Sequence, residues 1–261
     1  MYLLSALTLF ALLLQASPIQ SSSIITTAIP LDAITTDDPS SIADWTSVND
    51  FTSADSLTPL QSAAKYDAVR MIEALLSHGA DLHAKHPTTK ETAVMYAART
   101  GSQRALEKLL SKGASATDID ADGRTALHLA GLELYEGSGS EAMVGLLVGR
   151  GLAVDLIDSR GNTALHIACF FGGDAQYVSA LLEVGAEVDR VDDNGNAALH
   201  FSAKTGKMKE TRLLLEAGAK VGLKNLNGET ALKRAREAMK MDVVLLLEEW
   251  GAGRRETFDG L

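Results

Sequence analysis

One phrase of sequence recurs six times between residues 58 and 253, and no other feature of the chain constrains its fold as strongly. Each copy begins with a segment like residues 125–130, TALHLA, and ends some twenty residues later with a Leu-Leu pair followed by a glycine. The copies start at Thr58, Thr92, Thr125, Thr163, Ala197 and Thr230. Successive starts are 34, 33, 38, 34 and 33 residues apart. A period near 33 residues predicts a solenoid in which each structural unit stacks on the next.

The composition of each copy predicts two short antiparallel helices joined to the next copy by a hairpin turn. Gly161 and Gly195 suit the positive φ of such turns. The threonine that follows can cap the first helix, and a glycine can end the second. The glycines at the second-helix ends are Gly79, Gly113, Gly151, Gly185, Gly218 and Gly251. One unit cannot bury its apolar stripe alone, so neighbouring units must stack.

The TALH-like phrase and its period closely resemble the ankyrin repeat. The resemblance covers about three quarters of the chain, from residue 58 to residue 253. It implies an all-α solenoid of six helix-turn-helix repeats with hairpin loops. It also implies a non-enzymatic module that binds another protein, needs no cofactor and is monomeric.

Several positions depart from the repeated phrase. Ala197 replaces the capping threonine, so we expect the fifth repeat to be locally weaker. The third repeat is longer by about five residues, and residues 132–140 read as a helix end followed by a flexible Gly/Ser loop. Asp67 lies where a glycine usually separates the two helices. Lys233 and Arg234 make the last repeat polar, as the end of a solenoid requires.

The sequence divides into four parts: a candidate signal peptide or apolar helix (1–23), a linker (24–54), the repeat domain (55–253) and a tail (254–261). Leu3 to Leu14 is an apolar run of twelve residues that is too short to span a membrane. A signal peptide with a secreted or secretory-pathway location is therefore expected. The alternative is an uncleaved apolar helix, a weak anchor or a mispredicted start in a cytoplasmic or nuclear protein, because no Lys or Arg precedes the run.

The linker is rich in Ser, Thr and Asp and shows no helical period, which predicts a mostly disordered segment. Trp45 and Phe51 are its large aromatic residues. We expect them to cover the exposed apolar edge of the first repeat in place of a dedicated cap.

The net charge of −10 is distributed unevenly along the chain. Residues 115–195 hold 14 acidic and 4 basic residues, whereas residues 204–240 hold 10 basic and 4 acidic ones. The basic end could attract an acidic partner or nucleic acid, but a solvated surface is the preferred interpretation. No DNA-binding motif accompanies it, so nucleic acid is not an expected partner.

No sequence motif supports catalysis or a metal site. Residues 118–123 begin like a calcium-binding loop, but Leu129 stands where a bidentate glutamate is needed. His128, His166 and His200 are separated by whole repeats, about 10 Å each, which is too far for one ion, so a structural role is expected. Cys169 is the only cysteine and is interpreted as a core residue.

Resemblance to the ankyrin family places partner binding on the hairpin tips and on the concave face of the first helices. On this chain the concave positions include Tyr66, Arg99, Phe170, Phe171 and Lys204, and the hairpin positions include Arg124 and Arg160. Phe170 and Phe171 are the most informative, because large apolar side chains at outward positions must be covered by something. A partner is one candidate, and Leu134 and Tyr135 of the inserted loop are the other. Aromatic and Arg residues also dominate binding hot spots.

Two functions follow from the resemblance. An exported protein would hold or mask another protein, and resemblance to secreted ankyrin proteins of microbes and fungi implies a host-directed or extracellular binding role. An intracellular regulatory adaptor, such as a transcriptional co-regulator, is the alternative and would retain the apolar amino terminus.

Overall fold

The computed structural model describes residues 29–41, 48–50, 56–133, 140–172 and 174–251. The predicted signal segment, Trp45, Phe51 and the tail at 254–261 lie outside these ranges. Within them the chain forms stacked helical pairs joined by hairpins, which confirms the all-α solenoid. Two isolated antiparallel bridges, Val191 with Ala197 and Lys224 with Thr230, close hairpins between repeats.

Each of the six predicted repeats contributes two helices, and within the described residues one short helix precedes them. The short helix is α1 (Leu31–Thr35), followed by a 3-10 turn at Pro39–Ser41. The pairs are α2 (Pro59–Lys65) with α3 (Val69–Ser77), α4 (Ala93–Arg99) with α5 (Gln103–Ser111), α6 (Ala126–Glu133) with α7 (Ser140–Val148), α8 (Ala164–Ile167) with α9 (Ala175–Glu183), α10 (Ala198–Thr205) with α11 (Met208–Glu216), and α12 (Ala231–Glu237) with α13 (Met241–Gly251). The loop predicted at 132–140 falls mostly in residues 134–139, outside the described ranges.

The stack has two layers. First helices pack on first helices, and second helices on second helices, along the whole array. The core between the layers consists mainly of leucine and alanine, including Leu75, Leu109, Leu181 and Leu247, which are fully buried. Burying one such leucine stabilises the fold by about 1.5–3 kcal/mol.

Buried hydrogen bonds tie each repeat to the next. His128 Nδ1 accepts from the Thr125 backbone N–H at 3.1 Å, and its Nε2 lies 2.9 Å from the Asn162 carbonyl oxygen. His166 and His200 make the same pair of contacts in their own repeats. Because Nδ1 is the acceptor, the proton is on Nε2 and the ring is neutral. The structure therefore gives these histidines the structural role expected from the sequence.

These neutral histidines make stability depend on pH. Burial lowers the pKa of His128, His166 and His200 below the ordinary value of 6.5. Below pH 6.5 the unfolded chain therefore binds more protons than the folded chain, and the free energy of unfolding falls as pH decreases. We expect a lower urea midpoint at pH 5.5 than at pH 7.5, with each histidine contributing up to about 1.4 kcal/mol per pH unit.

The first repeat supplies the control for this prediction. There Gln61 Oε1 accepts from the Thr58 N–H at 2.9 Å, and Gln61 Nε2 donates to the Glu91 carbonyl at 3.1 Å. Glutamine thus makes the same bonds and does not titrate. A variant with all three histidines changed to glutamine should lose much less stability between pH 7.5 and 5.5. An equal loss in both proteins would exclude the histidines as its source.

The fifth repeat lacks the capping hydroxyl, as the sequence indicates. Thr163 Oγ1 lies 3.0 Å from His166 Nδ1 and 3.5 Å from the His166 backbone nitrogen. Ala197 has almost the same backbone conformation, with φ −85° and ψ 168° against φ −89° and ψ 169° at Thr163. The backbone at position 197 therefore has the conformation of a capping threonine, but the residue there is alanine.

We expect Ala197→Thr to raise the free energy of unfolding by about 0.5–1 kcal/mol, because the new hydroxyl can accept from the helix N-terminus. Urea denaturation at neutral pH measures the change. Thr163→Ala is the matched reverse substitution and should lower the free energy by about 1 kcal/mol. Since Ala197 is buried, a loss of stability in Ala197→Thr would show that the added atoms clash.

The segment before the first repeat is built like a shortened repeat. Asp37 and Asp67 both have positive φ, 51° and 55°. The Asp37 carboxylate accepts from the Met71 backbone N–H at 2.7 Å, and the Asp67 carboxylate accepts from the Ala105 N–H at 2.7 Å. Each aspartate therefore caps the second helix of the repeat that follows it. Asp37 thus caps the second helix of the first repeat in the same way that Asp67 caps the second helix of the second repeat.

Asn49 continues this equivalence at the other end of the segment. Its Oδ1 accepts from the Asp81 backbone N–H at 2.7 Å. In later repeats Asp189 accepts in the same way from the Lys220 N–H at 2.9 Å. The same turn-to-turn bond therefore joins this segment to the first repeat and the fourth repeat to the fifth.

The structure thus differs from the predicted disordered linker at residues 29–41 and 48–50. Ile34 is fully buried, and Ile29, Ala33 and Val48 join the same core. These side chains cover the apolar edge of the first repeat, and the predicted contribution of Trp45 and Phe51 lies outside the described residues. No sequence pattern indicates this packing, because the segment has neither the TALH phrase nor a Leu-Leu pair.

The opposite end of the array is polar, as predicted. Lys233 pairs with Glu229 at 3.2 Å and with Glu237 at 3.6 Å, and Arg236 pairs with Glu248. Charged side chains can face water where another repeat would otherwise stack.

Candidate functional site

The fourth repeat holds one extra residue inside its first helix. Eleven positions separate Thr163 from Asp174, the N-caps of its two helices, whereas ten separate Thr92 from Ser102 in the second repeat. The helix takes up the extra residue as a π-helical turn at Ala168–Gly172. Such turns are rare in proteins, and those that do occur are often found at functional sites. This turn carries Phe170 and Phe171.

A glycine in the neighbouring repeat makes room beside this turn. A Cβ on Gly131 would lie 3.3 Å from the Ala168 nitrogen and 3.2 Å from a ring carbon of Tyr177. Tyr177 is fully buried and donates its hydroxyl to the Leu127 carbonyl. Gly131, the π turn and Tyr177 therefore fit together as one packed arrangement between the third and fourth repeats.

The two phenylalanines belong to a three-ring aromatic cluster. The Phe170 ring lies edge-on to Phe171, with centroids 4.7 Å apart, and edge-on to Phe201, at 5.5 Å. Phe171 is 58% exposed and Phe170 is 37% exposed. An aromatic surface of this kind, open to solvent, is a typical contact for a binding partner.

The cluster forms one wall of a groove of about 260 Å³ between the first helices and the hairpins of the third to fifth repeats. Leu132 and Ile167 extend its apolar surface, and the hairpins supply its polar rim. The predicted residues Phe170, Phe171, Arg124 and Arg160 all line this groove.

The two rim arginines have different surroundings. Arg124 is held by Asp120, at 2.8 Å from Nε, and by Asp122, at 2.9 Å from a terminal nitrogen. Arg160 is exposed, and within the described residues no ion pair involves its side chain. Asp158 accepts from the backbone N–H of Arg160 and from Asn162, so it shapes the hairpin. Arg160 is therefore the more available of the two for a partner.

The other three predicted site residues do not line the groove. Tyr66 is 41% exposed in the first repeat, with Lys65 5.5 Å from its ring centroid. Arg99 forms an ion pair with the buried Glu91 and lies over the Tyr96 ring. Lys204 is exposed one helical turn beyond Phe201. The structure therefore does not bring Tyr66 and Arg99 together with the phenylalanine pair.

Sequence reasoning placed Leu132 among the concave positions but missed Phe201 and Ile167 as parts of the site. Phe201 is half-buried and closes the aromatic cluster from the fifth repeat. The 34-residue spacing of the fourth repeat was a signal, because an extra residue must be placed somewhere. The sequence did not show that the helix would contain it.

The described residues form no metal-binding cluster. No group of three or more His, Cys, Asp or Glu side chains among them could hold a metal ion. Cys169 is fully buried, and burial raises the pKa of its thiol, so it is not a ready nucleophile. In the part of the chain that the structure covers, no helix is both long and apolar enough to cross a membrane.

The chain belongs to the ankyrin-repeat family. The family model described as "Ankyrin repeats (3 copies)" matches residues 37–120, 60–137, 117–192, 135–225 and 173–253. A fowlpox virus (strain NVSL) protein named for its ankyrin repeats is 33% identical over 76 residues, which are 29% of this chain and 22% of the viral protein. The chain thus spans about a fifth of that relative's length. Ankyrin repeats indicate a protein-protein interaction module.

Proposed function

We propose that this chain binds a protein partner in the groove beside Phe170 and Phe171 and acts without catalysis, as a monomer. The observation that carries the proposal is the π turn, which holds two adjacent phenylalanines at the surface, whereas no other repeat places two aromatic residues there. Covering exposed apolar surface yields about 25 cal/mol per Å². A partner that covers both rings would therefore gain affinity from them.

The size of the groove favours a macromolecular partner. Its volume of about 260 Å³ is below the roughly 300–1,000 Å³ typical of small-molecule sites. It is suited to one or two side chains of a larger partner whose remaining surface rests on the hairpins. Exposed apolar residues at equivalent hairpin positions, Ile119, Ile157 and Val191, extend the available contact area.

Photo-crosslinking followed by calorimetry tests the site. A photoreactive phenylalanine analogue at position 171 of the full chain, expressed in its native source, should capture a partner for identification by mass spectrometry. Titration of that purified partner should then show at least a tenfold weaker affinity for the Phe170→Ala/Phe171→Ala variant. Light scattering of the unbound protein checks the monomeric state.

Tyr66→Ala is the matched control, because Tyr66 is an exposed aromatic residue outside the groove. It should change the affinity by less than about threefold. Equal losses in the two variants, or no loss in the groove variant while its circular dichroism is unchanged, would place the binding surface elsewhere.

We also propose that the protein is exported. The apolar run from Leu3 to Leu14 supports this proposal. The described residues begin at Ile29, so cleavage between residues 17 and 24 would leave all of them in the mature chain. Amino-terminal sequencing of the secreted fraction should find a start in that window. Retention of Met1 on a cell-associated form would favour the intracellular adaptor instead.

A further inference from the structure

We infer that the partner segment in the groove is basic and apolar: an aliphatic or aromatic anchor that contacts the phenylalanines, next to one or more Lys or Arg residues. This inference rests on the proposed function and adds the chemistry of the partner. It is carried by the charges around the groove.

The acidic part of the array keeps an excess of carboxylates, although Lys85 pairs with Asp118 and Lys220 pairs with Asp189. Residues 115–195 hold 14 acidic and 4 basic residues. Arg124 is paired with Asp120 and Asp122, and Arg190 is 3.6 Å from Glu187. Arg150 donates to the Leu110 carbonyl on the other layer of the stack. Arg160 is thus the one arginine of the four whose charge is both exposed at the groove and, among the described residues, without an ion pair.

The groove itself follows this imbalance. Three carboxylates line it, from Asp122, Asp158 and Asp192, against two guanidinium groups. Asp120 lies directly behind Arg124, so that arginine adds no net positive charge to the rim. The Asp122 side chain lies 2.9 Å from Arg124 but is 64% exposed, so its carboxylate is accessible at the edge of the groove. The rim is therefore negative on balance, which favours a cationic segment, and only the position beside Arg160 favours an acidic group.

The aromatic wall suits the same partner. The open faces of Phe170 and Phe171 attract cations when these lie within about 6 Å of the ring centroid. The alkyl stems of Lys and Arg also cover apolar surface while their charged ends stay in water. A basic residue can therefore contact both the rings and the carboxylates, which no acidic residue can do.

The sharp change of charge along the array sets the direction of the bound segment. Lys204 follows Phe201 by one helical turn, and residues 204–240 are strongly basic. A partner's cations should therefore lie toward the hairpin of Asp122, away from Lys204. Its apolar anchor should lie on Phe171.

Peptide display tests the inference with a defined probe. A library of random 16-residue peptides is selected on the immobilised full chain and, in parallel, on the Phe170→Ala/Phe171→Ala variant. We expect peptides enriched only on the natural chain to carry more Lys and Arg than Asp and Glu, next to an aliphatic or aromatic residue. The strongest is then synthesised and titrated at 50 and 300 mM NaCl, where salt screening should weaken its affinity.

Two further variants locate the charge effect. Asp122→Asn should weaken the peptide by about three- to tenfold at low salt. Glu216→Gln removes an exposed carboxylate from the second-helix layer of the fifth repeat and should have almost no effect. Groove-dependent peptides that are acidic or neutral, or that are insensitive to Asp122→Asn, would overturn the inference and leave the proposed groove in place. The absence of any groove-dependent peptide would overturn the proposed function as well.

Discussion

Replacing Arg99 by leucine is expected to lower the free energy of unfolding by about 3–5 kcal/mol. The Glu91 side chain is only 2% exposed, and Arg99 is its ion-pair partner. Removing the guanidinium leaves a carboxylate in the protein interior without its countercharge, and the desolvation of that charge is not offset. Chemical denaturation at pH 7 measures the loss.

Arg104→Leu is the control within the same repeat. Its side chain is 70% exposed and lies 3.8 Å from the Asp67 carboxylate, so its loss should cost less than about 1 kcal/mol. The double variant Glu91→Leu/Arg99→Leu should regain most of the stability lost in Arg99→Leu, because no unpaired charge remains. If Arg99→Leu costs no more than Arg104→Leu, the pair does not hold the second repeat together.

A binding assay on an Arg99 variant has to separate a lost partner contact from a lost ion pair within the fold. The sequence placed Arg99 at a partner-contact position, and its guanidinium is partly exposed. The structure gives it an ion pair within the fold as well. A loss of partner binding in Arg99→Leu therefore counts as evidence for contact only if the variant is folded under the conditions of the assay.

The repeated phrase was enough to predict the architecture, because each of its residues stabilises a defined part of the repeat. The threonine caps a helix, the histidine bridges to the next hairpin, and the leucines fill the core between two layers. Because the same pattern recurs six times, the start and end of each repeat can be aligned with those of the others. The helices of all six predicted repeats are present in the structure.

The site was only partly predictable for the same reason. The outward positions of Phe170 and Phe171 follow from the repeat register. Their grouping with Phe201 depends on the π turn and on the close approach of Gly131 to Ala168. Those are tertiary fits that no local pattern encodes. Arg99 looked like a free surface residue because its partner, Glu91, lies in the preceding hairpin, where a charged residue is ordinarily exposed.

The amino-terminal unit was missed because it keeps the hydrogen bonds of a repeat without its sequence phrase. Thr36 donates its hydroxyl to the Asp32 carbonyl at 2.8 Å, as Thr100 does to Tyr96 at 2.9 Å. Asp37 takes the positive φ that glycine takes at Gly101. The match of the family model from residue 37 agrees with this interpretation.

Ile34→Ala is expected to lower the free energy of unfolding by about 2–4 kcal/mol, because Ile34 is fully buried against the first repeat. In a solenoid each unit is stabilised by its neighbours, so the loss should fall mainly on the first repeat. Hydrogen exchange should therefore accelerate in α2 and α3 and change little in α10 and α11. Leu31→Ala is the control on the same helix, since Leu31 is 45% exposed, and should cost less than about 1 kcal/mol.

Two shortened chains separate the cap from the residues before it. A chain that starts at Ile29 keeps the capping unit, and we expect it to unfold at the same urea concentration as the full chain. A chain that starts at Ser56 loses Ile34, the Asp37 cap of α3 and the Asn49 contact to Asp81. It should unfold earlier, and its first repeat should exchange fastest, because an apolar edge is then open to water. Equal midpoints for the two shortened chains would show that the amino-terminal unit does not stabilise the array.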